Sequence, residues 1–304
     1  MLPFFISYLF ILSYRVAFHT VLSVSYTSNT MKAIEYCIEC LTKLAEKTLQ
    51  LSSGYDRNSF SQCCAIIDKL FYEGKTPPEI ANELHKHIKK ITEVYDPYVF
   101  LKEKELRKAK KAFEQLADGF SDSLEGVIKL SALGNSLDFF TDDTCGFNMK
   151  GFKFSGDIDK IENEIYIKEN ILILGDNIGD FIFDMPLVDF LEDRGKHVYY
   201  AVKEHPVQND LSMPDVFKFE FVKMFDNIIS TCTDEVGIRL ETMEGKIKDL
   251  WEANSVVIAK GMGNYETISE YHSERPVIHI MKVKCPAVAA SSGYEMGTYI
   301  AELY

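Results

Sequence analysis

Ile171-Leu-Ile-Leu-Gly-Asp-Asn-Ile-Gly-Asp-Phe-Ile-Phe-Asp184 is the stretch on which the reading of this 304-residue chain turns. Four consecutive apolar residues, Ile171 to Leu174, have the pattern of a strand buried on both faces. Gly175-Asp176-Asn177 interrupts the run, and residues 178–193 take up helical spacing. Open α/β sheets hold their ligands at such a strand–turn–helix junction, just beyond the carboxyl end of the strand. Asp176 and Asn177 place two oxygen donors there. Hard divalent cations choose carboxylate, amide carbonyl and water, so the pair is half of a cation site. The same two residues are also common helix N-caps. The stretch by itself leaves both readings open.

Downstream of residue 156, strands alternate with helices. Strands are expected at 170–174, 197–202, 227–231, 255–259 and 276–283, with helices near 179–193, 213–225, 234–251 and 293–302. That alternation predicts an α/β fold, a three-layer α/β/α domain on a mostly parallel, doubly wound sheet. Upstream, the pattern is helical. Apolar residues recur at helical intervals over 33–51 and 58–72. Thr76-Pro77-Pro78-Glu79 has capping-box spacing at the start of a third helix running to about 94. A charged helix follows over 99–116 and a less polar one over 122–140, while the Gly-, Asp- and Asn-rich 141–156 reads as a linker. The expected organisation is an N-terminal helical domain, 31–145, followed by an α/β domain, 155–304.

Residues 1–30 stand apart. They carry a single charge, Arg15, which follows the apolar run instead of preceding it. A secretory segment or membrane anchor is one reading. The missing basic region before the apolar run favours the other, an upstream extension to a start at Met31. No membrane partner is expected unless this segment is a real anchor. Seven cysteines, an odd count without a regular framework, argue for a reducing compartment and a cytoplasmic protein. A net charge of −13 with no basic stripe argues against a nucleic-acid surface. Cys37 and Cys40, three apart on one helix, are only half a zinc site and read as buried small hydrophobes, with Cys63 and Cys64 nearby. His85 and His87 read as surface residues; Trp251, Phe181 and Phe183 read as core.

The strand ends gain meaning together. After Asp176-Asn177 come Lys203 to Asp210 behind the second strand, Lys260-Gly-Met-Gly-Asn-Tyr-Glu266 behind the fourth, and Lys284-Cys285 behind the fifth. In a parallel sheet these ends share one rim. Oxygen ligands (Asp176, Asn177, Asp210) beside lysines (Lys260, Lys284) suit a phosphate monoester: a cation withdraws charge while ammonium groups hold the remaining oxygens. Neither a dinucleotide Gly-x-Gly-x-x-Gly fingerprint nor a Walker loop is present. Gly175-Asp-Asn-Ile-Gly-Asp180 matches one motif of haloacid-dehalogenase-like phosphatases. Their upstream nucleophile strand is missing, because Asp157-Ile-Asp159 lies too close and follows no apolar run.

Seven short motifs occur here in one order: Cys37-x-x-Cys40, Asp96-Pro97-Tyr98, Gly134-Asn135-x-x-Asp138, Gly175-Asp-Asn-x-Gly-Asp180-x-x-x-Asp184, Pro206-Val-x-Asn-Asp210, Lys260-Gly-x-Gly-Asn-Tyr-Glu266 and Lys284-Cys285. From residue 31 onward the chain resembles the damage-control phosphatases. These are a former domain-of-unknown-function family with an ARMT-like metal-binding domain, and the resemblance is to the short archaeal-type branch with an N-terminal Cys pair. The resemblance implies a metal-dependent phosphatase of small phosphometabolites such as sugar phosphates, using Mn²⁺, Co²⁺, Ni²⁺ or Mg²⁺. It implies Asp176, Asn177 and Asp210 as metal ligands, with Asp176 and Asp210 catalytic. Asn135, Asp138, Asp180, Lys260, Asn264, Tyr265, Glu266 and Lys284 would line the substrate site, Lys284 holding the phosphate. The branch commonly has Glu where Asp180 stands. Attack by water and attack by a carboxylate, Asp176 the nearest, both remain open. The competing functions are a protein-carboxylate methyltransferase, for which no separate glycine-rich site is present, and a non-catalytic phosphometabolite-binding protein.

Overall fold

The computed structural model describes residues 31–136, 151–272 and 275–304; the expectations placed on residues 1–30, on Asp138 and on the linker over 141–150 lie outside them. Five helices come first: α1 Glu35–Leu51, α2 Arg57–Tyr72, α3 Pro77–Thr92, α4 Val99–Leu116 and α5 Leu124–Gly134. Their starts are set locally. The Asp56 carboxylate accepts from the amides of Asn58 (2.7 Å) and Ser59 (3.0 Å) ahead of α2. At α3 the capping box closes in both directions, the Glu79 amide donating to the Thr76 hydroxyl and the Thr76 amide to the Glu79 carboxylate.

The α/β part runs β1 Phe154–Gly156, α6 Ile158–Tyr166, β2 Asn170–Leu174, α7 Asp180–Glu192, β3 His197–Val202, α8 Met213–Lys218, β4 Ile228–Ser230, α9 Gly245–Glu252, β5 Val256–Lys260, α10 Gly261–Ile268, β6 Ile278–Lys282, α11 Pro286–Ser292 and β7 Tyr299–Leu303. These strands form one sheet in the order β1-β7-β6-β5-β2-β3-β4. Every neighbouring pair is parallel except β6 and β7. From β2 the chain steps outward through β3 to β4. It then returns to the far side of β2 as β5 and β6, so the winding reverses between β2 and β5. A crevice opens at such a switch point, outside the carboxyl ends of the two strands.

Alternate residues of the buried strands feed opposite layers, as a period of two requires. Ile171, Ile173, Tyr200 and Ile258 pack with α4 to α8 on one face. Leu172, Leu174, Ala201 and Val257 face α9 and the end of α10 on the other. Farther along that second face, Met281, Val283 and Ile300 meet α1 to α3, Tyr265 and α11. The helical segment therefore shares its cores with the sheet. Phe181 and Phe183 are fully buried, and Trp251 is half-buried against the core.

Four local expectations are corrected. Residues 293–302 are not a helix: a turn over 293–298 leads into β7, which pairs antiparallel with β6 and carries β1 on its other side. Its alternation decides this, with Tyr299 and Ala301 buried in one core and Ile300 in another. The helix expected over 234–251 reduces to α9, preceded by a short 3-10 turn. Tertiary bonds take over the backbone donors there, the Val236 amide donating to Asn82 and the Ile238 amide to Thr267. His85 is buried, edge-on to Tyr98. Cys37 and Cys63 are buried as expected, but Cys40 is exposed, so the Cys-x-x-Cys pair is not buried together. Among the described residues, no helix is long and apolar enough to cross a membrane.

Candidate active site at the switch point

The turn after β2 is built by backbone pairing with the loop that follows β3. The Gly175 amide donates to Ala201 (2.9 Å), the Leu211 amide to the carbonyl of Asp176 (2.9 Å), and the Ile178 amide to the carbonyl of Asn209 (2.9 Å). Asn177 and Asp210 face each other as an antiparallel bridge. Thus Asp176 and Asn177 are stitched into one rim with Asp210, which lies 33 positions beyond Asn177. Helix α7 begins only at Asp180, and among the described residues no side chain caps it. The N-cap reading of Asp176 and Asn177 falls with that. Their side chains are left for other work.

From across the switch point, Gly261 presses against the same turn: a Cβ built there would lie 1.8 Å from the Asp176 carboxylate. Asn135, just past α5, is the hub on the helical side. Its amide donates to Asp176 (2.9 Å) and to Asp180 (2.7 Å), while its carbonyl oxygen accepts from the Lys282 amide (3.1 Å). Asn264 donates to the carbonyls of Leu174 (3.3 Å), Gly175 (3.1 Å) and Lys260 (2.7 Å), pinning the turn from α10. Lys203, fully enclosed at the end of β3, donates to the Gly237 carbonyl (2.6 Å) and stands 3.8 Å from Asp210.

Negative charge is crowded here. Burial, with Asp176 beside it, pushes the Asp180 carboxyl up to about 8. Burial likewise carries Asp210 to about 7 against the opposing pull of Lys203. Asp176 is raised by burial, with Lys284 the leading counter-charge. One oxygen of Asp180 and the carbonyl oxygen of Asn264 are buried without a hydrogen-bond partner among the described residues.

Not every expected residue converges. Lys260 is committed inside the core: its ammonium pairs with Asp184 (2.7 Å) and donates to the carbonyl (2.8 Å) and hydroxyl (2.5 Å) of Ser131. Tyr200 donates to the other oxygen of Asp184 (2.7 Å). Lys260 is thus a strut behind the rim, because β5 buries it completely. Tyr265 turns into the second core, its hydroxyl 3.1 Å from that of Ser291. Glu266 is also on α10, and burial pushes its carboxyl up to about 8. Asp157 caps α6 after β1, and β1 lies at the sheet edge with three strands between it and β2, too distant to be a nucleophile strand for this rim.

Two buried ionisable side chains on α4, Lys102 and Glu105, join this neighbourhood without a signal in the spacing. Glu105 accepts from the Gly179 amide (3.1 Å) and from Asn209 (3.0 Å). Lys102 pairs with Asp215 (2.8 Å) and Asp96 (3.3 Å). Both sit in a run rich in Lys and Glu, where spacing does not distinguish an inward charge from a solvated one. Asp96-Pro97-Tyr98 ahead of the helix was the available signal.

Comparison with known proteins agrees with this architecture. Residues 33–300 match the model of the damage-control phosphatase ARMT1-like domain. An uncharacterized protein of Methanocaldococcus jannaschii is 27% identical over 296 residues, covering 91% of this chain and 97% of its own length. A damage-control phosphatase of Pyrococcus horikoshii is 27% identical over 274 residues, covering 85% and 93%. The crystal structure of a DUF89 family protein from P. horikoshii superposes with a TM-score of 0.72 at 26% identity, covering 89% of this chain and 98% of that one.

Proposed function

Since the chain belongs to the damage-control phosphatase ARMT1-like family, we propose that it is a metal-dependent phosphatase of small phosphorylated metabolites, with its active site at the β2/β5 crevice. One observation carries this reading. Asp176, Asn177 and Asp210 are drawn together by backbone pairing and are free of capping duty.

Among the described residues, no three His, Cys, Asp or Glu side chains form a ready-made cation cage. The donor set nevertheless suits a hard ion, which accepts two carboxylates and an amide oxygen and completes its shell with water and phosphate. Crowded, buried carboxyls raised above their usual range are what an added divalent charge would relieve. Asp176, Asn177 and Asp210 would hold Mn²⁺, Co²⁺, Ni²⁺ or Mg²⁺. When bound, the ion supplies Lewis-acid polarisation of a phosphate oxygen.

The chain's own residues do the rest. Lys284 supplies the leading counter-charge to Asp176 and would hold the remaining phosphate oxygens. Asn135 fixes Asp176 and Asp180 relative to each other, so neither carboxylate has to reorient as charge develops. Asp176, or a water held by it, would be the group that attacks phosphorus, with the P–O bond to the leaving alcohol breaking as the new bond forms. Lys260 and Tyr265 take no part in substrate contact, in keeping with their buried partners.

Release of phosphate from p-nitrophenyl phosphate and from a sugar-phosphate and nucleotide panel, with added Mn²⁺ or Co²⁺, tests the proposal. Asp176→Ala and Asp210→Ala should each abolish turnover and weaken metal binding. Full activity in either variant removes the site. Tight ligand binding without any turnover replaces the phosphatase with a phosphometabolite sensor.

A further inference from the structure

We propose that Glu105 is a positioning residue, whose one carboxylate ties together the two loops carrying Asp176-Asn177 and Asp210 and so sets the ligand spacing. The proposal rests on the reading of those residues as metal ligands. Glu105 is fully buried on α4. One of its oxygens accepts from the Gly179 amide, two residues beyond Asn177; the other accepts from the Asn209 side chain, one residue before Asp210. The β2 loop is pressed onto it, since a Cβ at Gly179 would lie 2.7 Å from the carboxylate oxygen.

Helix α4 cannot swing away. One turn earlier, Lys102 is locked between Asp96 and Asp215, and Asp96 also accepts from the Tyr98 amide (2.9 Å). Asp215 in turn holds the Ser212 amide (3.1 Å), just past Asp210, so this second pair steadies the same loop. Packing alone does not call for an acid at position 105. Burying a carboxylate is far costlier than burying its neighbour Leu106, unless its hydrogen bonds are required. Both of its partners are donors, and two acceptor oxygens are what a carboxylate alone offers. Groups that orient ligands in this way typically change metal affinity about 10–100-fold when removed.

The test compares Glu105→Ala, Glu105→Gln and Leu106→Ala in the full chain. Two readouts are used: hydrogen exchange of peptides covering 176–180 and 207–211, and Mn²⁺ affinity by calorimetry. Glu105→Ala should speed exchange in both segments and weaken Mn²⁺ binding about 10–100-fold. Glu105→Gln, which keeps one acceptor oxygen and folds if the alanine variant does not, should fall between it and wild type. Leu106→Ala should lower the melting temperature while leaving both readouts unchanged. Unaltered exchange and affinity in both Glu105 variants overturns the proposal, as does Leu106→Ala reproducing their effects. Wild-type protein that takes up no Mn²⁺ overturns the metal reading instead; the exchange measurement, which needs no metal, still decides whether Glu105 ties the loops.

Discussion

Replacing Gly261 with alanine should disable the site while leaving the fold in place. The residue adopts φ +74°, and an added Cβ would lie 1.8 Å from one oxygen of Asp176 and 2.3 Å from its carboxyl carbon. Ordinary contact begins at 3.4 Å, so the carboxylate has to retreat by about 1.6 Å, the difference of those two distances. It is held where it is by Asn135 (2.9 Å) and Asn177 (3.2 Å), and those bonds break as it moves. The left-handed conformation costs an alanine about 1–2 kcal/mol. That is a tolerable loss of stability for a chain of this size. A displacement of 1 Å at a reacting group costs on the order of 100-fold in rate. Gly261→Ala should therefore lower kcat/KM for p-nitrophenyl phosphate by at least about 100-fold, with only a small shift in the urea midpoint. Gly293→Ala is the matched control: φ is +78°, and no described atom lies within 4 Å of the added Cβ. It carries the same backbone cost and should keep full activity. Wild-type turnover in Gly261→Ala, or an equal loss in Gly293→Ala, would refute the placement of the Asp176 carboxylate at the reaction centre.

Lys260→Met should cost about 3–5 kcal/mol in chemical denaturation, because it strands the buried Asp184 carboxylate; Asp184→Leu in the same chain should restore much of this. A raised KM at unchanged stability would instead put the Lys260 ammonium on the substrate. Saturating Mn²⁺ at about 100 times its Kd should stabilise the protein by roughly 2.7 kcal/mol, a gain that EDTA reverses and Asp210→Asn abolishes; an unchanged melting temperature would count against the cation site. The half-buried His272 and the fully buried His279 have their Nε2 atoms 2.8 Å apart, and burial holds His272 down at about 4 and His279 well below its usual range. Their folded-state pKa values are depressed, so the unfolded chain binds more protons below about 6.5. Their contribution is complete above that pH and is lost as pH falls toward 4. The stability difference between wild type and His279→Leu, followed from pH 7 to 4.5, should shrink on acidification. A pH-independent difference would mean the pair is not held neutral.

Much of the architecture is written in local pattern. The apolar run 171–174, the capping box at Thr76 and the 99–116 helix need only near neighbours in sequence, and all three are found as read. Stretches without that local determination were misread. Residues 293–302 have helix-compatible composition, yet β6 offers an edge with which the segment from Tyr299 onward pairs. The three-residue β1 is too short to display a period, and it forms because β7 lies beside it.

The candidate site divides in the same way. Sequence alone determined that Asp176 and Asn177 follow a buried strand at a turn, and that Asp210 lies beyond another parallel strand, because each strand and the polar side chains after it lie within a few residues of one another. Tertiary structure alone decided that these loops pair, that the helix begins past the turn without a cap from either side chain, and that Lys260 pairs with Asp184 in the core. It also decided that Glu105, 74 positions before Gly179, reaches the rim. The reason is physical. A charge is a ligand, a strut or a solvated surface group according to what surrounds it, and those surroundings come from segments that spacing along the chain does not relate.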